Sequence, residues 1–476
     1  MRAGRTWPLA AAVFVVLALA APAAAHDNQL GSSWLTEDHP GWYWPSTSGQ
    51  TDNFEMVGRV ERTKPSSTYR NSDLAFWGRL AYAGHYEGFQ IVDVGNPRKP
   101  KQLVDVKNCP GSQHDVSVWG GLLFVSVETP RTSPACDSTA QPSGTPGFEG
   151  IRIFDVSNPR SPALIAGVPT DCGSHTHTLV PDPRHQRVLL YVASYTAAEL
   201  APSSYGNECK RFDANGQPLH NKISVVEVPL RDPAEASVVS EPRFPQKEYR
   251  TGWYGCHDIT VFMELEMAAG ACMGEGQIWD ISDLEHPRTV GRVFNPNVEF
   301  FHSATFSYDG RRVIFGDEAG GGTGPACTSA DPATRGALWF YDVRSIRSLG
   351  EEVVTPRSTW KVPRIQEKLT PEQAQHPNCT MHNFNTLPTK HGDVLVSSAY
   401  AAGTTMVDFT NASRPREIGH LDPHGANTWS AYWYNGYVFT NDGGRGVDIL
   451  RVRDRATKGA WKLPFSNPQT QLFQIR

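Results

Sequence analysis

The sequence predicts an all-β, seven-bladed β-propeller, and three observations carry that prediction. A short strand motif returns seven times, a hairpin signal precedes each copy, and one strand ahead of the first repeat has the character of a blade's outermost strand. The clearest copy is GIRIFDVSNP, from Gly150 to Pro159. Its β-branched and aromatic run opens on Gly and closes on an acid followed by Asn-Pro, which is a strand between turns. The others begin at Gly88 (GFQIVDVGNP), Lys222 (KISVVEV), Gly276 (GQIWDIS), Ala337 (ALWFYDV), Gly403 (GTTMVDF) and Gly446 (GVDILRV). Their spacing of roughly 40–70 residues is that of propeller blades with variable loops. A lone strand of this kind cannot bury its two faces, whereas four-stranded units packed radially can.

Each unit reads as four strands. Inner strands are expected to start near Ser72, His114, His177, His257, His302, His382 and Asn427, each leading into a hairpin such as Tyr308-Asp309-Gly310 or Asn435-Gly436. Phe54 to Val60 (FEMVGRV) resembles the outer strands Arg288 to Val293 and Arg416 to Leu421, yet it precedes the first inner strand. It is therefore expected to complete blade seven and close the ring without an exposed edge. The propeller then spans residues 54–455, between an N-terminal leader at 26–53 and a C-terminal tail at 456–476.

The chain is 476 residues long, with 42 Gly and 36 Pro, and no helix-period apolar pattern runs far. A formal charge of −5 provides no basic stripe, so nucleic acid is excluded as a partner. Residues 1–25 carry Arg2 and Arg5, an apolar run to Ala20 and then Ala23-Ala24-Ala25, the pattern of a signal peptide. No later stretch is apolar for long enough to span a membrane. The expectation is a secreted, extracytoplasmic monomer whose partner is a small molecule or a cell-surface component. Cleavage after Ala25 would expose His26, an amino-terminal copper chelator in principle and otherwise one residue of a polar leader.

The repeated tract Gly-x-x-Ile-x-Asp-Val-Ser-Asn-Pro resembles the LVIVD-repeat family of exported bacterial propellers, along nearly all of the mature chain. That resemblance implies the fold and says little about activity. A more distant similarity, resting on architecture and histidine placement alone, is to the selenium-binding or methanethiol oxidase propellers; it implies copper held by histidines at the channel.

Eight cysteines in an exported chain point to disulfides, with 105 connectivities open. Cys256 and Cys272 lie across one hairpin and can face each other on adjacent strands. Cys109 with Cys136, Cys172 with Cys209, and Cys327 with Cys379 would each join loops on one face. There is no CxxC pair to suggest a thiolate metal site.

Five of the 16 histidines stand at or beside the start of an inner strand: His114, His177, His257, His302 and His382. Counted back from the hairpins they share nearly one height, so radial symmetry would gather them at one mouth of the channel. Acids end the neighbouring strands there: Glu128, Glu275, Asp317, Glu318 and Asp442. Imidazoles bind copper or another transition metal, and carboxylates orient them, ligate directly or meet substrate. The function read from this is a metal-binding propeller acting as an oxidoreductase on a small molecule. The alternative is a non-catalytic scaffold binding protein or glycan at the cell surface, whose histidines only satisfy polar groups in a crowded channel.

His175 shares a strand face with His177, but only one of the two can occupy the common height. His376, His420 and His424 fall in loops on the same side. Gly320 to Gly324 lacks the Lys and following helix of a phosphate cradle, so no nucleotide is expected. Asn411-Ala412-Ser413 is a glycosylation sequon by pattern only. No nucleophile elbow or HExxH is present.

Overall fold

The computed structural model of the protein describes residues 49–62, 70–141, 147–195, 215, 218–246, 254–321, 328–349, 355–364, 378–423 and 426–475. Seven antiparallel sheets form the blades. Their innermost strands are Asn71–Trp77, Val116–Trp119, Thr176–Asp182, Asp258–Phe262, Phe301–Phe306, Phe384–Thr386 and Thr428–Tyr434, for blades one to seven. Each repeat motif supplies its blade's third strand, as Phe148–Asp155 does in blade two and Leu338–Asp342 in blade five. These strands alternate side chains into two inter-blade layers, so both faces are apolar. Ile151 and Ile153 pack toward blade three, while Phe154 and Val156 pack toward blade one.

The acid and Asn-Pro that close the motif build a turn. Asp155 accepts the backbone N–H of Ser157 at 2.8 Å, and Asn158 accepts that of Arg160 at 3.2 Å. The same pair recurs at Asp408 with Thr410 and at Asn411 with Ser413. This is the side-chain turn that Asp and Asn make with the chain two residues on. The sequon asparagine is thus employed in a turn.

Phe54–Glu61 pairs with Gly446–Val452 as the outermost strand of blade seven, so the N-terminal strand closes the ring as predicted. A neighbouring strand, Gly49–Gln50, adds to the outside of blade six. At Gly58 a Cβ would lie 2.0 Å from the Pro97 carbonyl oxygen, which explains why blade seven's outer strand carries Gly where the Asn-Pro turn of blade one meets it.

The C-terminal tail does not trail from the propeller. It turns into the channel at the end where the inner strands reach their hairpins. Phe465–Ser466 pairs with the inner strand of blade one, and Thr470–Gln471 pairs in parallel with that of blade four. Asn467 accepts from the Val118 N–H at 2.7 Å and donates to its carbonyl at 3.0 Å, and Gln471 does the same to Phe306 at 3.1 and 3.0 Å. Thr470 donates to the Leu179 carbonyl at 2.6 Å, Gln471 to Thr386 at 3.2 Å, and Tyr434 to the Pro464 carbonyl at 3.3 Å. One segment therefore bonds to all seven blades.

Cys109–Cys136 and Cys256–Cys272 are disulfides, as foreseen. Cys172 and Cys379 are also disulfide-bonded. Their anticipated partners, Cys209 and Cys327, lie outside the described residues, as do the signal-peptide segment, His26, His376 and His424. No helix among the described residues is long and apolar enough to cross a membrane.

Candidate metal centre

At the channel end opposite the tail, the residues just before or within the starts of four inner strands turn inward. His257 N–H bonds to the Ala271 carbonyl at 2.8 Å, His382 N–H to Ser398 at 3.0 Å, and His175 N–H to Ala193 at 3.0 Å. The equivalent bonds set the three at equivalent rungs of their blades. With His302 they form an arc of imidazoles, the ring centroids 4.2 Å apart from His175 to His257, 3.9 Å to His302 and 4.2 Å to His382. All four are buried.

Glu318, at the end of blade five's second strand, completes the group. Its carboxylate lies 3.5 Å from His302 Nε2 and 3.6 Å from His382 Nε2, and it accepts the Tyr400 hydroxyl. Ligand atoms of His257, His302 and Glu318 all fall within 4.8 Å of one another, close enough to share one ion. Aromatic rings enclose the set. Tyr195 stacks on His257 at 5.7 Å, Phe300 meets it edge-on at 5.3 Å, and Tyr400 and Trp429 contact His382 at 4.6 and 4.7 Å.

His175 Nε2 and His257 Nε2 are only 2.7 Å apart. Two ligands about 2.0–2.1 Å from one tetrahedral ion would stand roughly 3.3 Å apart. The pair is instead a hydrogen bond, with one ring donating. His175 Nδ1 meets Glu128 at 2.6 Å, and Glu128 accepts from Ser112 at 2.9 Å. A carboxylate–histidine–histidine chain thus fixes the tautomer and tilt of His257, leaving Nδ1 as its other nitrogen.

The structure brings together His257, His302, His382, Glu318 and, through His175, Glu128. It does not bring in His177, His114, Glu275 or Asp317. His177 lies deeper, between Ser117 (2.7 Å from Nε2) and Ser126 (2.8 Å from Nδ1). Counting from the hairpin misplaced it because the blade-three ladder has seven paired rungs and the blade-four ladder five. His175, two residues earlier, holds the rung that His257 holds. His114 has φ +56°, a left-handed conformation that turns its ring from the axis, and its Nδ1 bonds to the His85 carbonyl at 2.7 Å. Burial drives both His114 and His177 down to about 3, the Arg152 charge adding to the effect at His114, so both rings stay neutral.

Glu275 opens a third strand rather than ending a second, and it is buried in a two-bond pair with Arg292 at 3.0 and 2.7 Å. Asp317 accepts the N–H groups of Glu299, Phe300 and Gly336 at 3.1, 3.0 and 2.9 Å, which ties loop to strand. Asp442 does the same for Asn427 and Gly444 in blade seven, both at 2.9 Å. His420 sits on Glu417 at 3.2 Å.

The sequence reading did not anticipate Tyr195, Tyr400 or Trp429. Tyr195 and Tyr400 occupy one recurring place, just past a blade's second strand, where the chain bridges to the residues leading into the next blade: Tyr195 to Gly255 and Tyr400 to Thr428, as Met273 bridges to Phe301. That place, once aligned across blades, is the signal that would have found them. A second cluster, Asp171, Cys172 and His220, resembles a ligand set, but its sulfur is in a disulfide.

The LVIVD repeat family matches residues 148–170, the third and fourth strands of blade two. The chain therefore carries an LVIVD repeat in a seven-bladed propeller. No curated protein matches it. Among solved structures, the computationally designed Ika8 protein aligns over 85% of this chain and 100% of its own, at 10% identity and a TM-score of 0.43.

Proposed function

We propose that this propeller is an exported metalloprotein that holds a transition-metal ion, copper by preference, between His257, His302 and Glu318, and uses it in redox chemistry on a small molecule. The observation that carries the reading is the convergence of imidazoles from blades four, five and six on the one carboxylate of Glu318. Imidazole nitrogens with a single carboxylate suit copper, zinc, iron or nickel rather than magnesium or calcium. His257 would bind through Nδ1, held by the Glu128–His175 chain, and Tyr400 would hold Glu318. The residues fit such an ion, and what it supplies when bound is Lewis acidity and, for copper or iron, electron transfer. The cleft beside them has room for roughly one water molecule, so a substrate seated in it is very small. Export is supported by the N-terminal pattern and by disulfides, which persist in oxidising compartments.

The competing reading is a scaffold with structural histidines, and the His175–His257 hydrogen bond favours it as far as those two rings go. Elemental analysis of purified protein separates the readings. About one equivalent of copper, iron or zinc is expected, lost in the His257→Ala/His302→Ala double variant while the fold remains. Metal-free protein that takes up no added copper, zinc or iron and melts unchanged would sink the metal reading.

A further inference from the structure

His302 and His382 present the same nitrogen to Glu318, and hydrogen bonds on the far side of each ring decide which nitrogen that is. His382 Nδ1 lies 2.5 Å from the Trp429 carbonyl oxygen, which can only accept, so Nδ1 carries the proton. His302 Nδ1 lies 2.5 Å from Ser303 Oγ, whose own proton goes to Asn383 Oδ1 at 3.2 Å, so His302 Nδ1 is again the donor. A neutral ring protonated at Nδ1 carries its lone pair on Nε2, the form in which imidazole ligates a metal.

The two lone pairs meet different oxygens of one carboxylate. His302 Nε2 stands 3.5 Å from Glu318 Oε2, and His382 Nε2 stands 3.6 Å from Glu318 Oε1. In each gap an acceptor faces an acceptor, an arrangement that a cation between them stabilises. Two ligands about 2.0–2.1 Å from one tetrahedral ion stand roughly 3.3 Å apart, so either gap takes an ion with little adjustment. One ion does not fill both. The ligand atoms that lie within 4.8 Å of one another are those of His257, His302 and Glu318, and His382 is not in that group.

We propose that His382 Nε2 and Glu318 Oε1 hold a second copper ion, so that Glu318 bridges a two-ion centre with its ions roughly 3.5–4 Å apart. The inference deepens the metal reading and rests on it for the first ion. The Tyr400 hydroxyl, bonded to the same Glu318 oxygen and carried on a ring 4.6 Å from His382, flanks the second position. With two protein side chains as ligands against three, the second ion is the weaker and the more exchangeable, filled by added copper rather than retained on purification. His302 and His382 both line the cleft, none of whose lining residues is Lys or Arg, so a second ion meets no resident cation there. The space is that of about one water molecule, which makes the ligand shared by the two ions a molecule of one or two heavy atoms, such as hydroxide.

Copper(II) titration of the purified protein, read by equilibrium dialysis and by electron paramagnetic resonance, tests this. The first equivalent should bind tightly and give the full-intensity spectrum of an isolated ion. The second should bind more weakly, bring the total to about two equivalents, and cut the integrated intensity per copper while a half-field signal of a coupled pair appears. His382→Ala should stop at one equivalent with full intensity. Wild-type protein that saturates at one equivalent, or that takes two and shows two isolated spectra, overturns the two-ion centre and leaves the metal reading standing; both results are read on the wild type, whatever the variant's stability. Loss of the first equivalent in a folded His382→Ala protein makes His382 a ligand of a single ion and also overturns it. Protein that takes up no copper overturns the metal reading and the second ion together.

Discussion

The two ends of the channel solve one problem in opposite ways. Inner propeller strands turn an unpaired backbone edge toward the axis, and buried backbone groups must find partners. At the hairpin end the tail supplies them, matching Asn467 and Gln471 to both backbone groups of Val118 and Phe306. At the other end side chains meet side chains, as His175 meets His257 and Tyr400 meets Glu318. The first arrangement ties blades together and has no titratable group among these contacts. The second concentrates titratable groups under aromatic rings, where water is scarce and electrostatic interactions are strong. On the proposed function, stability belongs to one end and chemistry to the other.

The strongest way to break that division is to remove residues 464–476. Buried backbone groups on Val118 and Phe306 would lose their partners at about 1–3 kcal/mol each, so a loss of at least about 3–5 kcal/mol is expected in chemical denaturation. Metal uptake at the histidine end should survive under native conditions. A truncated protein with an unchanged midpoint would show that the tail is no brace.

A smaller effect separates the histidines themselves. His177 is neutral when folded, held near 3 by burial, and protonates near 6.5 when unfolded. Its contribution to stability is therefore full above about pH 6.5 and is lost as the pH falls from there toward 3. The raised carboxyls of Asp73 and Asp258 work in the opposite sense, since the folded state binds their protons more tightly. His177→Gln removes only the first term. Its stability should decline less than the wild type's on acidification, by about 2 kcal/mol at about pH 5. An unchanged acid limb, followed by tryptophan fluorescence, would mean that His177 is not the buried neutral ring described.

The same contrast governs what could be read from the sequence. Strand period, turn chemistry and the stray outer strand at Phe54 are local patterns, and they were enough for seven blades and their closure. The tail was legible only as a remainder, because Asn467 and Gln471 act on the backbone of Val118 and Phe306, each more than 160 residues away, which no local pattern names. In the site, His257, His302, His382 and Glu318 were legible because each inner strand begins at a predictable place. His175 was displaced in favour of His177 by two rungs of unseen ladder, and His114 by a backbone conformation that composition does not encode. Glu275 was misread because the second strand already ends at Cys272 and the third begins at Glu275, one residue before the Gly276 that opens the motif.

The finest test removes one hydroxyl at each end. Thr470→Val deletes the bond to the Leu179 carbonyl across blades three and four, and should cost about 1 kcal/mol without changing metal content. Tyr400→Phe deletes the bond to Glu318, yet the ring keeps its contacts with His382 and Trp429, so stability should move by less than about 1 kcal/mol. Its effect belongs in the metal affinity, which should weaken about 10–100-fold as Glu318 loses the group that orients it. Competition with a chelator of known affinity, run beside denaturation of both variants, measures the two effects on one scale. If Tyr400→Phe proves the less stable and Thr470→Val the poorer metal binder, stability and chemistry are not divided between the ends.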